Sequence, residues 1–257
     1  MSVSGAAKTA AFFDVDGTLV DSTIAHYFRY FMFRRLRPLR AKVWYAGFLI
    51  RCAYYMALDR VDRGRLNVVF YRNYAGLPAA EIKSQAGDCF AQVTVPRRFA
   101  ESGACVEEHR QAGRAIVLVT GSLDFIVEPL AREISADDML AASLEERDGR
   151  FTGMLTGQPV WAEEKAQRMR EYAAAKGIDL AQSHAYGDSL ADLPMLEAVG
   201  FPHAVNPDRK LAAMARARGW AIHRWKAANS RSSKFEVQSS KTTTVGFTTK
   251  DTKGIVD

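Results

Sequence analysis

Cysteine is scarce in this 257-residue chain. There are three, Cys52, Cys89 and Cys105, odd in number and without the spacing of metal ligands. That argues against a disulfide framework and fits a reducing compartment. Long apolar runs are missing too. The nearest one, Val43 to Leu58, is short and broken by Arg51, so no spanning helix is expected. The opening MSVSGAAKTAAFFDVDG has no apolar stretch of secretory length before acids arrive. A cytoplasmic location is the expectation. Acidic residues are absent between Asp21 and Asp59, a span that carries Arg29, Arg34, Arg35, Arg37, Arg40, Lys42 and Arg51. The remaining composition is ordinary: 48% hydrophobic, 25% charged, net charge +6. It excludes collagen and a wholly disordered chain, and it allows a sizeable core.

The pattern along the chain alternates. Ala10 to Asp14 is a short apolar run ending in acidic and glycine residues, as a buried strand feeding a loop does. Residues 22–93 read as mostly helical. Aromatic and aliphatic residues recur three and four apart, Pro38 interrupts them, and Pro78 precedes Glu81 where a helix would start. Further helices are expected over Val95–Ala112, Ser122–Ile134, Glu163–Lys176, Asp192–Val199 and Pro207–Arg218. Strands are expected over Ile116–Val119, Met139–Ser143, Ser183–Tyr186, Ala204–Val205 and Trp220–His223, with a hairpin over 144–155 turning at Asp148-Gly149. Strands alternating with helices predict a parallel sheet covered on both faces. The helical stretch after the first strand is too long for a plain crossover and reads as an inserted cap. The expected fold is therefore α/β, a Rossmann-like parallel-sheet core with an inserted all-helical cap. The core spans 8–21 and 94–226, and the cap spans 22–93. A Ser/Thr/Lys-rich tail over 227–257 is expected to be disordered.

Chemistry concentrates where strands end. Asp14-Val15-Asp16-Gly17-Thr18 follows the first strand directly. Two carboxylates two residues apart converge at the mouth of a parallel sheet, where such sheets bind ligands. One could attack phosphorus while the other moves protons, and both would attract a hard cation. A plain Asp-Gly turn, or the acidic metal site of a nucleotide-sugar transferase, would look similar. Ile116–Val119 runs into Thr120-Gly121-Ser122, a place for a phosphate or simply a helix cap. Tyr186-Gly187-Asp188-Ser189-Leu190-Ala191-Asp192 again puts two acids after an apolar strand. Lys165 near the start of a helix is, taken alone, an ordinary solvated lysine.

The order of these pieces says more than any one of them. DVDGT, then VTGS, then Lys165, then GDSLAD resembles the four motifs of the haloacid dehalogenase superfamily of aspartate-nucleophile phosphohydrolases. The likeness spans about Ala10 to Trp225, and the helical insert resembles the branch containing phosphoserine phosphatase. The resemblance implies the following roles. Asp14 is the nucleophile and Asp16 the general acid and base. Thr120, Gly121 and Lys165 bind phosphoryl oxygens. Mg2+ is held by Asp14, the backbone carbonyl of Asp16, and Asp188. Asp192 orients Lys165 or the water on the metal. The implied activity is Mg2+-dependent hydrolysis of a small phosphomonoester through an aspartyl-phosphate.

Two departures put the substrate in question. Phosphoserine phosphatases carry a Glu nine residues after the nucleophile, and this chain has Thr23 there. Ala191 stands where those enzymes often have Asn. The acid-free span also interleaves arginines with Tyr27, Phe28, Tyr30, Phe31, Phe33, Trp44, Tyr45 and Phe48. Three readings of it stay open: an ordinary packed cap with solvated arginines, a surface for anionic membranes, and steering of an anionic substrate. No nucleic-acid motif accompanies the charge. A soluble phosphomonoesterase, phosphoserine phosphatase proper, a membrane-docking lipid-phosphate phosphatase and a non-catalytic binding module are the candidate functions. The oligomeric state is left open.

Overall fold

A computed structural model of the chain describes residues 8–61 and 63–228. The expectation of a disordered tail falls almost wholly outside them. Ala227 and Ala228 are described, and they pair with Phe99 and Arg98.

The first strand, β1 (Ala10–Phe13), is buried along its whole length. Alternate residues enter different cores, because side chains in a strand point to opposite faces. Ala11 and Phe13 pack with Val106, Ile116, Leu118, Val127 and Leu130. Ala10 and Phe12 pack with Val117, Val119, Met169, Met195, Leu196 and Leu211. A strand buried on both faces belongs at the centre of a parallel sheet, and β1 lies there.

After β1 come five α-helices: α1 (Ile24–Arg35), α2 (Pro38–Val61), α3 (Arg63–Tyr71), α4 (Ala79–Ser84) and α5 (Ala86–Cys89). The chain then continues through α6 (Ser102–Gln111), β2 (Ala115–Leu123), α7 (Asp124–Glu133), β3 (Asp138–Ala142), β4 (Leu144–Arg147) and β5 (Arg150–Leu155). It finishes with α8 (Glu163–Lys176), β6 (His184–Gly187), α9 (Leu193–Glu197), β7 (Phe201–Val205), α10 (Arg209–Arg218) and β8 (Ala221–His223). Six strands form one parallel sheet in the order β3-β2-β1-β6-β7-β8. Helices α6 and α7 supply one core, and α8, α9 and α10 supply the other. The order reverses at β1, whose neighbours are β2 and β6, and that switch point opens a crevice at the strands' C-terminal ends.

The third core is aromatic. Tyr27, Phe28, Phe31, Phe48, Phe70, Tyr71 and Tyr74 from the helical layer cluster with Phe125 and Phe151. Phe28 alone lies within 4.8 Å of Tyr74 and 5.6 Å of Phe70, centroid to centroid. Burying each such ring is worth about 1.5–3 kcal/mol.

Three features differ from the sequence reading. Helix Val95–Ala112 is split, and only α6 is α-helical. Arg98 and Phe99 instead make bridges to Val20 and Ala227, because this segment ties the helical layer back to the β1 loop. Strand β2 runs through Thr120-Gly121-Ser122 to Leu123, so α7 begins two residues later than expected. The β4–β5 hairpin turns at Asp148-Gly149, but it packs on the helical layer. Phe151 donates its backbone N–H to Leu77 and accepts one from Gly76.

Candidate active site

The sheet order places the motif strands side by side. Phe13 pairs with Leu118 on one side and Tyr186 on the other, so the loops after β1, β2 and β6 open at one rim. The β1 loop is wound tightly. The Val15 carbonyl accepts N–H groups from Thr18, Leu19 and Val20 at 3.3, 2.9 and 3.0 Å. Gly17 makes this winding feasible. Its φ is +94°, and a Cβ there would lie 2.3 Å from Asp188 Oδ2. A side chain at residue 17 would drive the two acidic loops apart.

Lys165, on the first turn of α8, reaches both acidic loops. Its Nζ donates to Asp14 Oδ1 at 2.5 Å and to Asp192 Oδ1 at 2.7 Å, and all three side chains are buried. Asp192 is saturated: its other oxygen accepts from Asp188 N, Ser189 N and Ser189 Oγ at 3.2, 3.1 and 3.1 Å. Burial opposes its ionisation, but Lys165 and Ser189 outweigh burial and hold the carboxyl below the usual range. Burial likewise opposes the charge on Lys165, yet the two carboxylates keep it above an ordinary lysine. Asp14 is the underserved partner. Burial pushes its carboxyl up to about 7 against the pull of Lys165.

Oxygens of Asp14, Asp188 and Asp192 lie within 4.8 Å of one another. One ammonium against this group leaves a local excess of negative charge. An all-oxygen donor set with that excess fits a hard divalent cation.

Asp16 faces a different set of partners. Its Oδ1 accepts from Ser22 Oγ at 2.5 Å and Tyr27 OH at 3.0 Å, and its Oδ2 accepts from Ser122 Oγ at 2.5 Å. Three hydroxyls thus hold the carboxylate in place. Sequence reasoning did not single out Ser22, Tyr27 or Ser122. Ser122 lay inside a quoted motif, but Tyr27 reads as one more cap aromatic and no pattern marks it.

Asp14, Asp16, Gly121, Lys165, Asp188 and Asp192 line one cavity of about 320 Å³. The Thr120 side chain is not part of the lining. It is buried, and its hydroxyl accepts the Ser122 N–H at 3.0 Å. Gly121 sits where the chain is tightly packed, since a Cβ would lie 2.9 Å from Asn67 Nδ2 and 3.0 Å from the Val160 carbonyl. The rest of the wall is largely apolar, with Ile24, Ala25, Leu66, Phe70, Val160 and Trp161. The Trp161 indole N–H is buried and unpartnered among the described residues. Thr23 lines the same cavity.

Comparison with known proteins adds the family. The model for haloacid dehalogenase-like hydrolases matches residues 11–197. A Mycobacterium tuberculosis protein named "Probable phosphatase" is 36% identical over 221 residues, 84% of this chain and 75% of the relative. Phosphoserine phosphatase SerB1 of the same organism is 31% identical over 229 residues, 85% of this chain and 71% of the relative. A crystal structure of a Bordetella pertussis protein of unknown function superposes with a TM-score of 0.74 at 28% identity, covering 85% of this chain and 99% of that one. The matched span carries all the acidic loops and Lys165 that meet at the sheet's switch point. The chain belongs to the haloacid dehalogenase-like hydrolase family.

Proposed function

We infer that the chain hydrolyses a phosphomonoester with Asp14 as nucleophile. The observation that supports this most directly is the ammonium of Lys165 shared between Asp14 and Asp192, beside a cavity that also contains Asp16. In the first half-reaction an Asp14 oxygen bonds to phosphorus as the bond to the leaving oxygen breaks. Asp16, protonated at that stage, gives its proton to the departing alcohol. In the second half Asp16 takes a proton from water. The water oxygen bonds to phosphorus, and inorganic phosphate leaves with Asp14 restored. Splitting the displacement this way replaces one difficult step with two easier ones.

The hydroxyls of Ser22, Tyr27 and Ser122 keep the Asp16 carboxylate aimed through both halves. Lys165 and the Gly121 backbone would receive phosphoryl oxygens. Thr120 acts here through the Ser122 N–H that its hydroxyl accepts. A Mg2+ ion would be held by the carboxylates of Asp14 and Asp188 and the backbone carbonyl of Asp16, since Asp192 is already spent on Lys165 and Ser189. When bound it supplies positive charge against the repulsion between carboxylate and phosphate.

The leaving group is the finer question. The described wall offers Ile24, Leu66, Phe70, Val160 and Trp161, with Thr23 at the position where phosphoserine phosphatases carry Glu. This favours an alcohol with apolar or aromatic surface, its acceptor atoms meeting Thr23. Phosphoserine is the second reading, favoured by the 31% identity to SerB1.

Two measurements test the proposal. Asp14→Asn should lose aryl-phosphate turnover by more than about 10⁴-fold while remaining folded. EDTA should abolish wild-type turnover and Mg2+ restore it. Turnover within about tenfold of wild type in the Asn variant would overturn the nucleophile assignment. A panel of phosphomonoesters then ranks phosphoserine against aryl and alkyl phosphates.

A further inference from the structure

Helix α2 is apolar on two opposite faces, and only one of them has a partner within the described residues. Ala41 and Phe48 are buried, and Trp44, Tyr45, Cys52 and Tyr55 pack against the aromatic core. These residues fall on one side of a helix turning 100° per residue. The opposite side carries Leu39, Val43, Ala46, Gly47 and Ile50. Leu39, Val43 and Ile50 are 75%, 70% and 76% exposed. The stripe contains no charge and runs about 16 Å along the helix at 1.5 Å per residue. Leu49 and Phe33 extend it at the edge, 51% and 42% exposed. A helix apolar all round is normally enclosed, and an exposed patch of this kind marks an interaction surface.

The charges beside the stripe say what covers it. Arg34 pairs with Asp88 at 3.3 Å, Arg35 pairs with Glu81, and Arg29 lies over the Tyr45 ring. Those three have partners within the protein. Arg37, Arg40, Lys42 and Arg51 are exposed, and no carboxylate pairs with them among the described residues. Arg40 and Arg51 border the stripe on one side and Lys42 on the other, and Arg37 stands just before the helix. No acid stands in the sequence from residue 22 to residue 58 to oppose them. An apolar stripe bordered by cations matches an anionic bilayer surface. Acyl chains receive the leucine, valine and isoleucine while headgroup phosphates meet the arginines and lysine. No helix among the described residues is long and apolar enough to cross a membrane, so the fit is to a helix lying flat.

We propose that the outward face of α2 docks this protein on anionic lipid bilayers. The face lies opposite Cys52 and Tyr55, which line the catalytic cavity. One helix therefore forms both the lipid contact and part of the cavity wall.

Vesicle co-sedimentation of the full chain tests this without reading activity, so it stands or falls apart from the phosphatase proposal. Wild type should sediment with vesicles of phosphatidylcholine plus phosphatidylglycerol and much less with phosphatidylcholine alone, and added salt should weaken the binding. Val43→Asp with Ile50→Asp should lower binding at least about tenfold, with helicity by circular dichroism unchanged. Should that variant fail to fold, neutralising Arg37, Arg40, Lys42 and Arg51 to Gln decides. Binding to anionic vesicles should then drop by a similar factor and lose its salt dependence. Three outcomes would overturn the proposal. They are wild type that does not sediment with anionic vesicles, a folded variant that binds as well as wild type, and a dimer in sedimentation equilibrium that Val43→Asp with Ile50→Asp dissolves. The last result would assign the face to a second copy of the chain.

Discussion

The sheet region and the helical layer solve different problems with different residues. The sheet region buries mostly aliphatic residues on two faces, with Phe12, Phe13 and Tyr186 among them, and gathers its ionised groups at one rim. Asp14, Asp16, Asp188 and Asp192 lie in the loops after strands β1 and β6, and Lys165 begins the helix packed beside them. The helical layer buries large rings and gives the cavity apolar walls. Tyrosine hydroxyls tie its helices into the site's polar network, Tyr27 on Asp16 at 3.0 Å and Tyr71 on the Gly121 carbonyl at 2.7 Å, and Ser22 just ahead of α1 adds a hydroxyl on Asp16 at 2.5 Å. Under the proposed function, the contrast assigns the chemistry to one region and the choice of substrate to the other. Charge that must be fixed in position comes from the stiff central strands. Shape and access come from a layer joined to the sheet by few polar ties.

After Asp14→Asn, the largest effect should come from within the sheet region. Lys165→Ala leaves Asp14 and Asp192 facing each other without their shared cation. Removing one partner of a buried pair costs about 3–5 kcal/mol of stability, and losing such a contact in the transition state costs roughly 100–1000-fold in turnover. Both should appear together in aryl-phosphate kinetics and thermal unfolding. Turnover lost without any fall in unfolding temperature would show that Asp192 is held by its Ser189 contacts alone.

Tyr27→Phe tests the boundary itself. It keeps the ring in the aromatic core and removes one donor to Asp16. A hydrogen bond to a charged group is worth about 1.5–3 kcal/mol, so kcat should fall about 10- to 100-fold. KM should move little if the hydroxyl only aims Asp16. An unchanged kcat would mean that Ser22 and Ser122 suffice, and that the helical layer takes no part in the chemistry.

The two regions were unequally legible in the sequence. Strand β1 showed because a run of apolar residues stops at two acids. The order of DVDGT, VTGS, Lys165 and GDSLAD showed because spacing along the chain carries it. The extension of β2 past Val119 did not show, since Thr120-Gly121-Ser122 have turn character and form an irregular stretch between Val119 and Leu123, the two residues that pair with β3 on either side of it. The split of Val95–Ala112 was hidden for a similar reason: bridges from Arg98 and Phe99 to distant residues override local helix preference. Tyr27 could not be told from its aromatic neighbours, because its role depends on a loop eleven positions away in sequence. The arginines of the acid-free span looked equivalent until the fold paired Arg34 and Arg35 with Asp88 and Glu81.

The smallest expected effect concerns acid and should appear mainly on one side of the comparison. His184, His203 and His223 form a hydrogen-bonded chain at 3.0 Å per link across β6, β7 and β8, and His109 bonds the Tyr186 hydroxyl at 2.7 Å beside them. Burial is the main cause that lowers His203 to about 3 and His109 to about 4, with neighbouring imidazoles adding to it. Burial lowers His184 and His223 as well. An unfolded histidine takes up a proton near pH 6.5, and these folded ones do so only at lower pH. The unfolded state therefore binds more protons throughout that window, and stability falls as pH drops through it. The helical layer holds His26 alone, at the start of α1, where burial again lowers it. Hydrogen exchange at decreasing pH should lose protection first in β6, β7 and β8, while α1 and the aromatic core keep theirs. Imidazole NMR signals of His109 and His203 should stay neutral well below pH 6.5. Titration of these two rings near the ordinary value, or loss of protection starting in the helical layer, would show that the histidine chain is hydrated and places no acid limit on the sheet.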